Sequence, residues 1–456
     1  MSKIKPPYIV VIGAARSGIA VASLLRRKGK RVFVSDSGAI APHIKQRLID
    51  EQISFEESGH TDAAKIGKFA VVSPGVPTSA PLVQHYLADD KPVYSEIEMA
   101  YKYAEGNIIA VTGTNGKTTV TSWLDHTWSL TDNHYVTAGN IGNAYSEVVE
   151  QTNHNSTSIL EVSSFQLDHI DTFRPDISIL LNITPDHLDR YHNNFDEYAA
   201  AKFRIFENQE AADWLIYNFD DPVVREKIQE LEGQEDSPRL LPFSTREELT
   251  EGAFLKDEQL ITIINNKKES LMRASQISLS GKHNLKNGMA VMLAARADEI
   301  KSEKIRESVK RFEGVEHRLE FVRELGGVEF INDSKATNIN SVWYALDSLN
   351  APGVLIMGGR DKGNDYTELH RLLYEKVHTV IAIGESKEKI RDQVGKVVPS
   401  FELADSLEDA VKRAHNAANY GDVVLLSTAC ASFDMFENFE HRGREFKKAV
   451  QSLEIK

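Results

Sequence analysis

The stretch AVTGTNGKTT, residues 110–119, decides the fold of this chain because it joins an apolar strand, a glycine-rich turn and a helix. Such a turn leaves several backbone N–H groups around one small cavity, and the helix N-terminus adds a partial positive charge. A polyphosphate suits this arrangement, with Lys117 reaching the outer phosphates and Thr118 or Thr119 holding a magnesium ion. The stretch therefore predicts binding of ATP or GTP.

The loop is a close variant of the usual phosphate-loop pattern G-x-x-x-x-G-K-[ST]. Val111 stands where that pattern has its first glycine, and the glycines here are Gly113 and Gly116. A glycine-rich turn with an incidental lysine is the alternative interpretation. The apolar strand before the turn and the helix after it favour the phosphate loop.

Length, charge and cysteine content limit the classes of protein to which this chain can belong. At 456 residues the chain is too long for one core, and typical domain sizes suggest about three domains. The net charge of −14 argues against nucleic acid as a partner, and no apolar run approaches the ~18 residues of a membrane span. Cys430 is the only cysteine, so no intrachain disulfide can form and a cytoplasmic location is expected.

Strands and helices alternate along the chain, which predicts an α/β protein with parallel sheets in three blocks. The blocks are residues 1–95, 96–314 and 315–456. A β-rich segment of the second block should form a hairpin that turns at Asn265-Asn266. Strands of the third block are predicted at residues 328–331, 354–357, 379–383 and 423–426.

The first block contains a weak match to a dinucleotide-binding turn. GAARSG, residues 13–18, fits G-x-G-x-x-G only if Ala15 replaces the middle glycine, and Asp36 ends the second strand where a ribose-binding acid would stand. The middle glycine allows the backbone to touch a pyrophosphate, so Ala15 disfavours NAD. Another nucleotide-type anion site is favoured, and a purely structural turn remains open.

Polar residues at the ends of two strands in the second block suggest metal binding. Glu161 closes an apolar strand, which is where nucleotide triphosphatases hold magnesium. His187, between Asp186 and Asp189, is a candidate contact to a metal or a phosphate, although a lone histidine in this place favours a structural role. Lys202 lies on an alanine-rich helix, and its local composition predicts only a solvated or snorkelling lysine.

Two loops of the third block follow strands and carry three cations between them. They are NDSKATN at residues 332–338 and GGRDKG at residues 358–363. Open α/β sheets place ligands at the carboxyl ends of their strands, so these loops suit an anionic substrate or a phosphoryl group in transfer. For Phe436 and Phe439 near the C-terminus, composition favours a role as core aromatics.

Motifs spread over essentially the whole chain resemble those of the Mur ligase family, in the same order. They are TGTNGKTT, LEVSSFQLD, LNITPDHLDRYH, the helix lysine Lys202, GKHNLKN, GVEHRLE, NDSKATN, GGRDKG and STACASFD. One departure is Thr428, where relatives commonly have proline, and it should change loop stiffness rather than chemistry.

The resemblance implies three α/β domains and a ligase activity. These would be a Rossmann-like UDP-binding domain (1–95), a central P-loop ATPase domain with a parallel sheet and a smaller β part (96–314), and a Rossmann-like amino-acid-binding domain (315–456). NDSKATN and GGRDKG resemble the branch that adds D-glutamate to UDP-N-acetylmuramoyl-L-alanine in peptidoglycan precursor synthesis, as a cytoplasmic monomer. A sister Mur ligase or folylpolyglutamate-type ligase with another amino acid is the alternative.

The reaction implied by the resemblance needs ATP, two magnesium ions and a carbamylated lysine. The substrate carboxylate attacks the γ-phosphate, and the amine of D-glutamate then displaces phosphate from the acyl phosphate. Thr118 and Glu161 would hold one magnesium; His187 and a carbamate on Lys202 would hold the other. The implied catalytic residues are Lys117, His187, Lys202 and Lys335.

The resemblance also implies three sets of binding residues. The set for ATP is Gly113, Thr114, Asn115, Gly116, Lys117, Thr118, Thr119, Asn284, Asn287, Arg318 and Asp333. The set for the UDP substrate is Ser17, Asp36, Ser37, Ser73, Pro74, Gly75, Asn140 and His187. The set for D-glutamate is Thr337, Lys362, Ser432 and Phe439.

Overall fold

A computed structural model describes residues 7–279, 281–349 and 351–454. The chain forms two compact units. The first consists of the described residues of Met1–Ile277 and Lys286–Arg311, and the second of those of Ser278–Leu285 and Phe312–Lys456. Three sheets, two in the first unit and one in the second, confirm the predicted α/β class. The predicted boundaries at residues 95 and 314 stay predictions.

The N-terminal sheet has five parallel strands in the order β3-β2-β1-β4-β5. Its strands are β1 (Ile9–Ile12), β2 (Val32–Ser35), β3 (Ser54–Glu56), β4 (Ala70–Val72) and β5 (Val93–Ser95). Its helices are α1 (Arg16–Arg27), α2 (Pro42–Asp50), α3 (Asp62–Lys65), α4 (Pro81–Ala88) and α5 (Glu96–Tyr101). The central strands are continuous apolar runs because both faces of a parallel sheet are covered. The strand order reverses at β1, which is where such folds bind ligands.

The central sheet has nine strands in the order β14-β13-β12-β11-β10-β9-β6-β8-β7. They are β6 (Asn107–Thr112), β7 (Tyr135–Gly139), β8 (Thr157–Glu161), β9 (Ile177–Leu180), β10 (Trp214–Asn218), β11 (Arg239–Ser244), β12 (Gly252–Lys256), β13 (Gln259–Ile264) and β14 (Lys267–Arg273). The helices are α6 (Lys117–Ser129), α7 (Tyr145–Val148), α8 (Ser164–Leu167), α9 (Phe195–Phe203), α10 (Pro222–Gln229), α11 (Lys282–Ala297) and α12 (Ser302–Arg311). Residues of α11 up to Leu285 belong to the second unit.

The central sheet is parallel from β7 to β12 and antiparallel from β12 to β14. This confirms a parallel ATPase-type sheet with a smaller β part. The predicted hairpin is also confirmed, because β13 and β14 pair and turn at Asn265 and Asn266.

The C-terminal sheet has six strands in the order β15-β16-β20-β17-β18-β19, and only the β15–β16 pair is antiparallel. The strands are β15 (Glu320–Leu325), β16 (Val328–Asp333), β17 (Gly353–Gly358), β18 (Val377–Ile383), β19 (Ser400–Leu403) and β20 (Val423–Ser427). The helices are α13 (Ile339–Ser348), α14 (His370–Lys376), α15 (Lys387–Val394), α16 (Leu407–Ala417) and α17 (Phe439–Gln451). The four predicted strands are β16, β17, β18 and β20, and the two edge strands were not predicted.

Among the described residues, no helix is both long enough and apolar enough to cross a membrane.

Candidate functional site

The predicted phosphate loop lies between β6 and α6, so its strand–turn–helix context is present. Lys117 opens the helix, and its Nζ donates to the carbonyl oxygens of Gly113 and Thr114, both at 2.8 Å. Gly116 has φ +90°, and a Cβ there would lie 2.8 Å from Oδ1 of Asn287. This position therefore requires glycine for both its backbone conformation and its space.

Residues that follow β9 hold the phosphate loop in place. The N–H of Asn115 donates to Oδ1 of Asn182 at 2.8 Å, and Nδ2 of Asn182 donates back to the carbonyl of Asn115 at 2.9 Å. The hydroxyl of Thr114 donates to the carbonyl of Thr184 at 3.0 Å and lies 3.0 Å from the hydroxyl of Tyr198. These bonds hold the loop in its conformation.

An oxygen-rich corner that could hold magnesium lies beside the loop. Glu161 ends β8, pairs in register with Val111 of β6 and is buried, as are Thr118 and Thr119 in the first turn of α6. Asn140, predicted to meet the UDP substrate, donates from Nδ2 to Oε1 of Glu161 at 3.0 Å. Carboxylate and hydroxyl oxygens are the donors that magnesium prefers, so the side chains present fit this ion.

Lys202 is buried, and the prediction of a solvated lysine from its local composition is wrong. Its side chain lies on α9 with 2% of the residue exposed, and its Nζ donates to the carbonyl oxygen of Gly113 at 2.9 Å. The same nitrogen lies 4.7 Å from the centre of the Tyr198 ring. Burial and the charge of Lys117 lower the pKa of Lys202 well below its usual value, against the nearby carboxylates of Asp186, Asp168 and Glu161.

His187 lies on the loop after β9, in a left-handed conformation with φ +52°. Its Nε2 lies 3.8 Å from Oδ2 of Asp186, and its ring meets the Phe165 ring edge-on with centroids 5.3 Å apart. The side chain is 41% exposed, so a ring nitrogen can reach a ligand. A residue held in the left-handed region near a binding loop is a common feature of functional sites.

The predicted UDP residues Asp36, Ser37 and Ser73–Gly75 follow two strands of the N-terminal sheet. Oδ2 of Asp36 accepts a hydrogen bond from the N–H of Ala14 at 2.6 Å, so this acid holds the glycine-rich turn. Ser73 reaches the same turn, because a Cβ built on Gly13 would lie 3.0 Å from its Cβ. Ser17 lies in the first turn of α1.

A cavity of about 380 Å³ opens beside the glycine-rich turn. Its lining includes three basic side chains that the sequence analysis did not single out, namely Arg16, His43 and Arg47. Their spacing along α1 and α2 gives no pattern of its own, so only the fold brings them together.

Arg190 is a further residue that the sequence analysis quoted within a motif but did not assign. Its Nη2 donates to the carbonyl oxygens of Pro74 and Val76 at 3.3 and 3.2 Å. Its guanidinium lies over the Phe165 ring, 4.2 Å from the centroid. Arg190 therefore ties the predicted UDP loop of the N-terminal sheet to the loop that carries His187. Its place in DHLDRYH, three residues after His187, was the available signal.

In the second unit, Asp333 ends β16 and is buried. Its Oδ2 accepts from the hydroxyl of Ser427 at 2.7 Å, and burial raises the pKa of Asp333 to about 7 despite the nearby charge of Arg318. Lys335 lies just beyond, with its Nζ 5.3 Å from the centre of the Phe439 ring. The structure thus brings a predicted catalytic lysine against a predicted D-glutamate residue.

The loops after β17 and β20 meet because their strands are neighbours in the C-terminal sheet. Arg360 and Ala431 exchange backbone hydrogen bonds at 2.9 and 3.1 Å. Lys362 is exposed, whereas Ser432 is buried. Of the three predicted cations, Arg360 is paired with Glu385 at 3.2 Å.

Three other predicted residues lie on α11 or before α13. Asn287 belongs to the first unit and lies beside Gly116, whereas Asn284 belongs to the second unit. Both asparagines are buried. Thr337 is half-buried on the loop that leads into α13.

Family models match three parts of the chain. They are described as the MurD N-terminal domain (residues 8–81), the Mur ligase middle domain (residues 111–295) and the Mur ligase, glutamate ligase domain (residues 317–430).

Two similar proteins match almost the full length. The chain is 45% identical to a protein of Salinibacter ruber over 97% of both chains, and 44% identical to a protein of Chloroherpeton thalassium over 99% of both. Each of those proteins is named UDP-N-acetylmuramoylalanine--D-glutamate ligase.

Solved structures share the fold at low sequence identity. UDP-N-acetylmuramate-alanine ligase MurC from Thermotoga maritima is 18% identical, with a TM-score of 0.60, over 98% of this chain and 99% of that one. MurF ligase from Thermotoga maritima in complex with ADP is 16% identical, with a TM-score of 0.59, over 92% of this chain and 95% of that one. The three family models and the full-length relatives show that this chain belongs to the Mur ligase family.

Proposed function

We propose that this chain is an ATP-dependent ligase that adds D-glutamate to UDP-N-acetylmuramoyl-L-alanine in the synthesis of peptidoglycan precursors. The observation that carries the proposal is the full-length identity of 45% to a relative of that name. The phosphate loop of the first unit and the cationic loops of the second supply the chemistry that such a reaction needs. The products are the amide, ADP and phosphate.

Phosphorylation solves the chemical problem of this reaction. A carboxylate is a poor electrophile for an amine, and phosphate is a good leaving group once it is attached to the carboxyl oxygen. Lys117 and the backbone N–H groups of residues 113–119 would bind the phosphates of ATP and stabilise charge during transfer. We assign Asn284, Asn287, Arg318 and Asp333 to the rest of the nucleotide, and Lys335 to the charge on the acyl phosphate.

Two magnesium ions and a carbamate on Lys202 complete the proposed phosphate site. Thr118 and Glu161 would hold one ion; His187 and the carbamate would hold the other. A lysine amine must be neutral to add to carbon dioxide, with loss of one proton, and the lowered pKa of Lys202 supports that state. Bound magnesium would neutralise the negative charge that develops on the phosphoryl oxygens.

The two other substrates are assigned to loops at strand ends. We place the UDP substrate at Ser17, Asp36, Ser37, Ser73, Pro74, Gly75, Asn140 and His187. We place D-glutamate at Thr337, Lys362, Ser432 and Phe439. A dicarboxylic amino acid suits Lys362, whose exposed ammonium group is an available counter-charge.

We also propose three domains, at residues 1–95, 96–314 and 315–456, and a monomer that works in the cytoplasm, where ATP is made. The three sheets support the three domains.

An assay of phosphate release across a panel of amino acids tests the function. With ATP and UDP-N-acetylmuramoyl-L-alanine present, D-glutamate should stimulate phosphate release and give an amide product by mass spectrometry. L-glutamate, L-lysine and diaminopimelate should give neither. Stimulation by one of these instead would identify a sister ligase, and phosphate release without any amide would indicate a nucleotide switch.

A further inference from the structure

A buried tyrosine joins the two loops that carry Lys362 and Ser432. Tyr366 lies on the turn before α14 and is fully buried. Its hydroxyl donates to Oδ1 of Asp361 at 2.9 Å and lies 3.0 Å from Sγ of Cys430. We infer that Tyr366 is a positioning residue that holds Lys362 and Ser432 in register for the amino-acid substrate. This inference rests on the proposed function.

The carboxylate of Asp361 organises the loop around Lys362. Besides Tyr366, it accepts hydrogen bonds from Nζ of Lys389 at 2.7 Å and from the N–H groups of Gly363 and Asn364, both at 3.2 Å. Burial opposes the charge, yet these bonds hold the pKa of Asp361 below its usual value. The backbone on both sides of Lys362 is therefore fixed, while its side chain stays exposed.

The thiol of Cys430 anchors the other loop. Sγ is buried and lies 3.4 Å from the hydroxyl of Ser386. Nδ2 of Asn364 donates to the carbonyl of Ala429 at 2.9 Å, which is a second tie between the two loops. Burial raises the pKa of the Cys430 thiol, so it keeps its proton. Because the one proton of the Tyr366 hydroxyl goes to Asp361, the thiol is the donor to the tyrosine oxygen.

The hydroxyl of Tyr366 serves a purpose that its ring alone cannot. The ring fills apolar space among the buried residues of the C-terminal sheet, and phenylalanine would fill it equally well. Of the parts of this side chain, the hydroxyl is the one that makes hydrogen-bond contact with both the Lys362 loop and the Ser432 loop. Since both of these residues are assigned to D-glutamate, loosening the link should weaken capture of that substrate and spare the binding of ATP.

The test is the variant Tyr366→Phe, measured by steady-state kinetics for each substrate on the full chain. Loss of a hydrogen bond to a charged group is expected to raise KM for D-glutamate about ten- to a hundredfold. KM for ATP and for the UDP substrate should stay within about twofold. Tyr374→Phe is the matched control, since that tyrosine of α14 is 79% exposed, and it should behave as the wild type.

Variants at Cys430 provide a second arm and keep the test valid if Tyr366→Phe does not fold. Cys430→Ala removes the donor to the tyrosine oxygen and should raise KM for D-glutamate in the same direction. Cys430→Ser keeps a donor there, so its KM for D-glutamate should stay much closer to the wild-type value than that of Cys430→Ala.

Two results would overturn the inference. One is an unchanged KM for D-glutamate in Tyr366→Phe and Cys430→Ala. The other is an equal loss for all three substrates, which would indicate a merely structural role. A wild-type chain that makes no amide from D-glutamate would instead refute the proposed function, so the two failures are distinguishable.

Discussion

Lys117 and Lys202 both donate from Nζ to one atom, the carbonyl oxygen of Gly113, at 2.8 and 2.9 Å. Two ammonium groups this close repel each other, and the buried one loses more solvation by being charged. Lys202 is the buried one, so its pKa is lowered and its neutral form is favoured. Burial therefore distinguishes the two lysines that share this carbonyl.

Lys202→Ala should lower turnover by at least ~10²-fold, the scale of losing one preorganised electrostatic group. Short carboxylic acids should restore part of the activity, because they can place a carboxylate where the carbamate would stand. Amide formation with and without added acetate or propionate measures this.

Lys227→Ala is a control for that experiment, since Lys227 of α10 is partly exposed and paired with Glu230. It should keep full activity and show no response to the acids. Wild-type turnover in Lys202→Ala would remove Lys202 from the site.

Glu96 is another buried titratable residue, and it should make the free energy of unfolding depend on pH. Its Oε1 accepts from the N–H of Ser146 at 2.6 Å, and its Oε2 has no hydrogen-bond partner in the described part of the chain. Burial raises the pKa of Glu96 from 4.5 to about 7. Between these values the folded state holds a proton that the unfolded state has lost. Stability from this group is therefore fully present below pH 4.5 and is lost as pH rises through 7.

Glu96→Gln keeps the shape of the side chain and removes its titration. The stability of the variant relative to the wild type should grow as pH rises from 5 to 7, by up to about 1.4 kcal/mol per pH unit. Thermal unfolding at several pH values measures the trend. The exposed Glu232→Gln should show no such trend, and a constant difference for Glu96→Gln would contradict the predicted titration.

Sequence reasoning located charged residues at strand ends but could not give their environments. Glu161 was found because it closes an apolar strand, and Asp333 because it lies in a polar loop that follows a strand. The burial of Lys202 was not found from its own helix, because the groups that enclose it, Gly113 and Asp168 among them, come from distant parts of the chain. Local composition cannot show desolvation that tertiary packing creates.

At the scale of elements, the hairpin of β13 and β14 is a case in which local sequence was sufficient to predict the structure. Its two turn residues, Asn265 and Asn266, have φ +52° and +60°, the left-handed values that a type I′ turn requires. Asparagine tolerates this region better than other non-glycine residues. The sequence therefore contained both the register and the turn.

Asn266→Val should destabilise the protein by about 1–2 kcal/mol, because a β-branched residue is strained at positive φ. Asn266→Gly should be neutral or slightly stabilising at the same position. Lys268→Val is a matched control on the exposed side of β14, where a β-branched residue suits the strand. Thermal unfolding compares the three variants. A stable Asn266→Val would mean that the turn is not held in its left-handed conformation.

The edge strands β15 and β19 show where local signals fail. Along β15 exposed and half-buried residues follow each other irregularly up to the buried Leu325, and its pairing contains a bulge. The strand β19 has only four residues. Neither forms the apolar run that marked β16, β17, β18 and β20. An edge strand is covered on fewer sides, so its sequence is less constrained and its pairing depends on the neighbouring strand.

At the scale of the whole molecule, the chain is not divided in simple sequence order. Ser278–Leu285 belongs to the second unit, although the chain before it and Lys286–Arg311 after it belong to the first. In this region the sequence predicted one boundary, at residue 314, whereas the division into units also passes through α11. The motif GKHNLKN at residues 281–287 spans that division, so Asn284 and Asn287 belong to different units.

One prediction concerns the complete reaction rather than any single residue. In the proposed chemistry, a carboxyl oxygen of the UDP substrate bonds to the γ-phosphorus, and the C–O bond to that oxygen breaks when the amine attacks. Substrate labelled with oxygen-18 in its terminal carboxylate should therefore transfer one labelled oxygen to each phosphate released, as measured by mass spectrometry. Unlabelled substrate in oxygen-18 water should give unlabelled phosphate, because water does not take part in a ligation. Label that entered from water, or phosphate without label from the carboxylate, would show that ATP is hydrolysed and that no acyl phosphate forms.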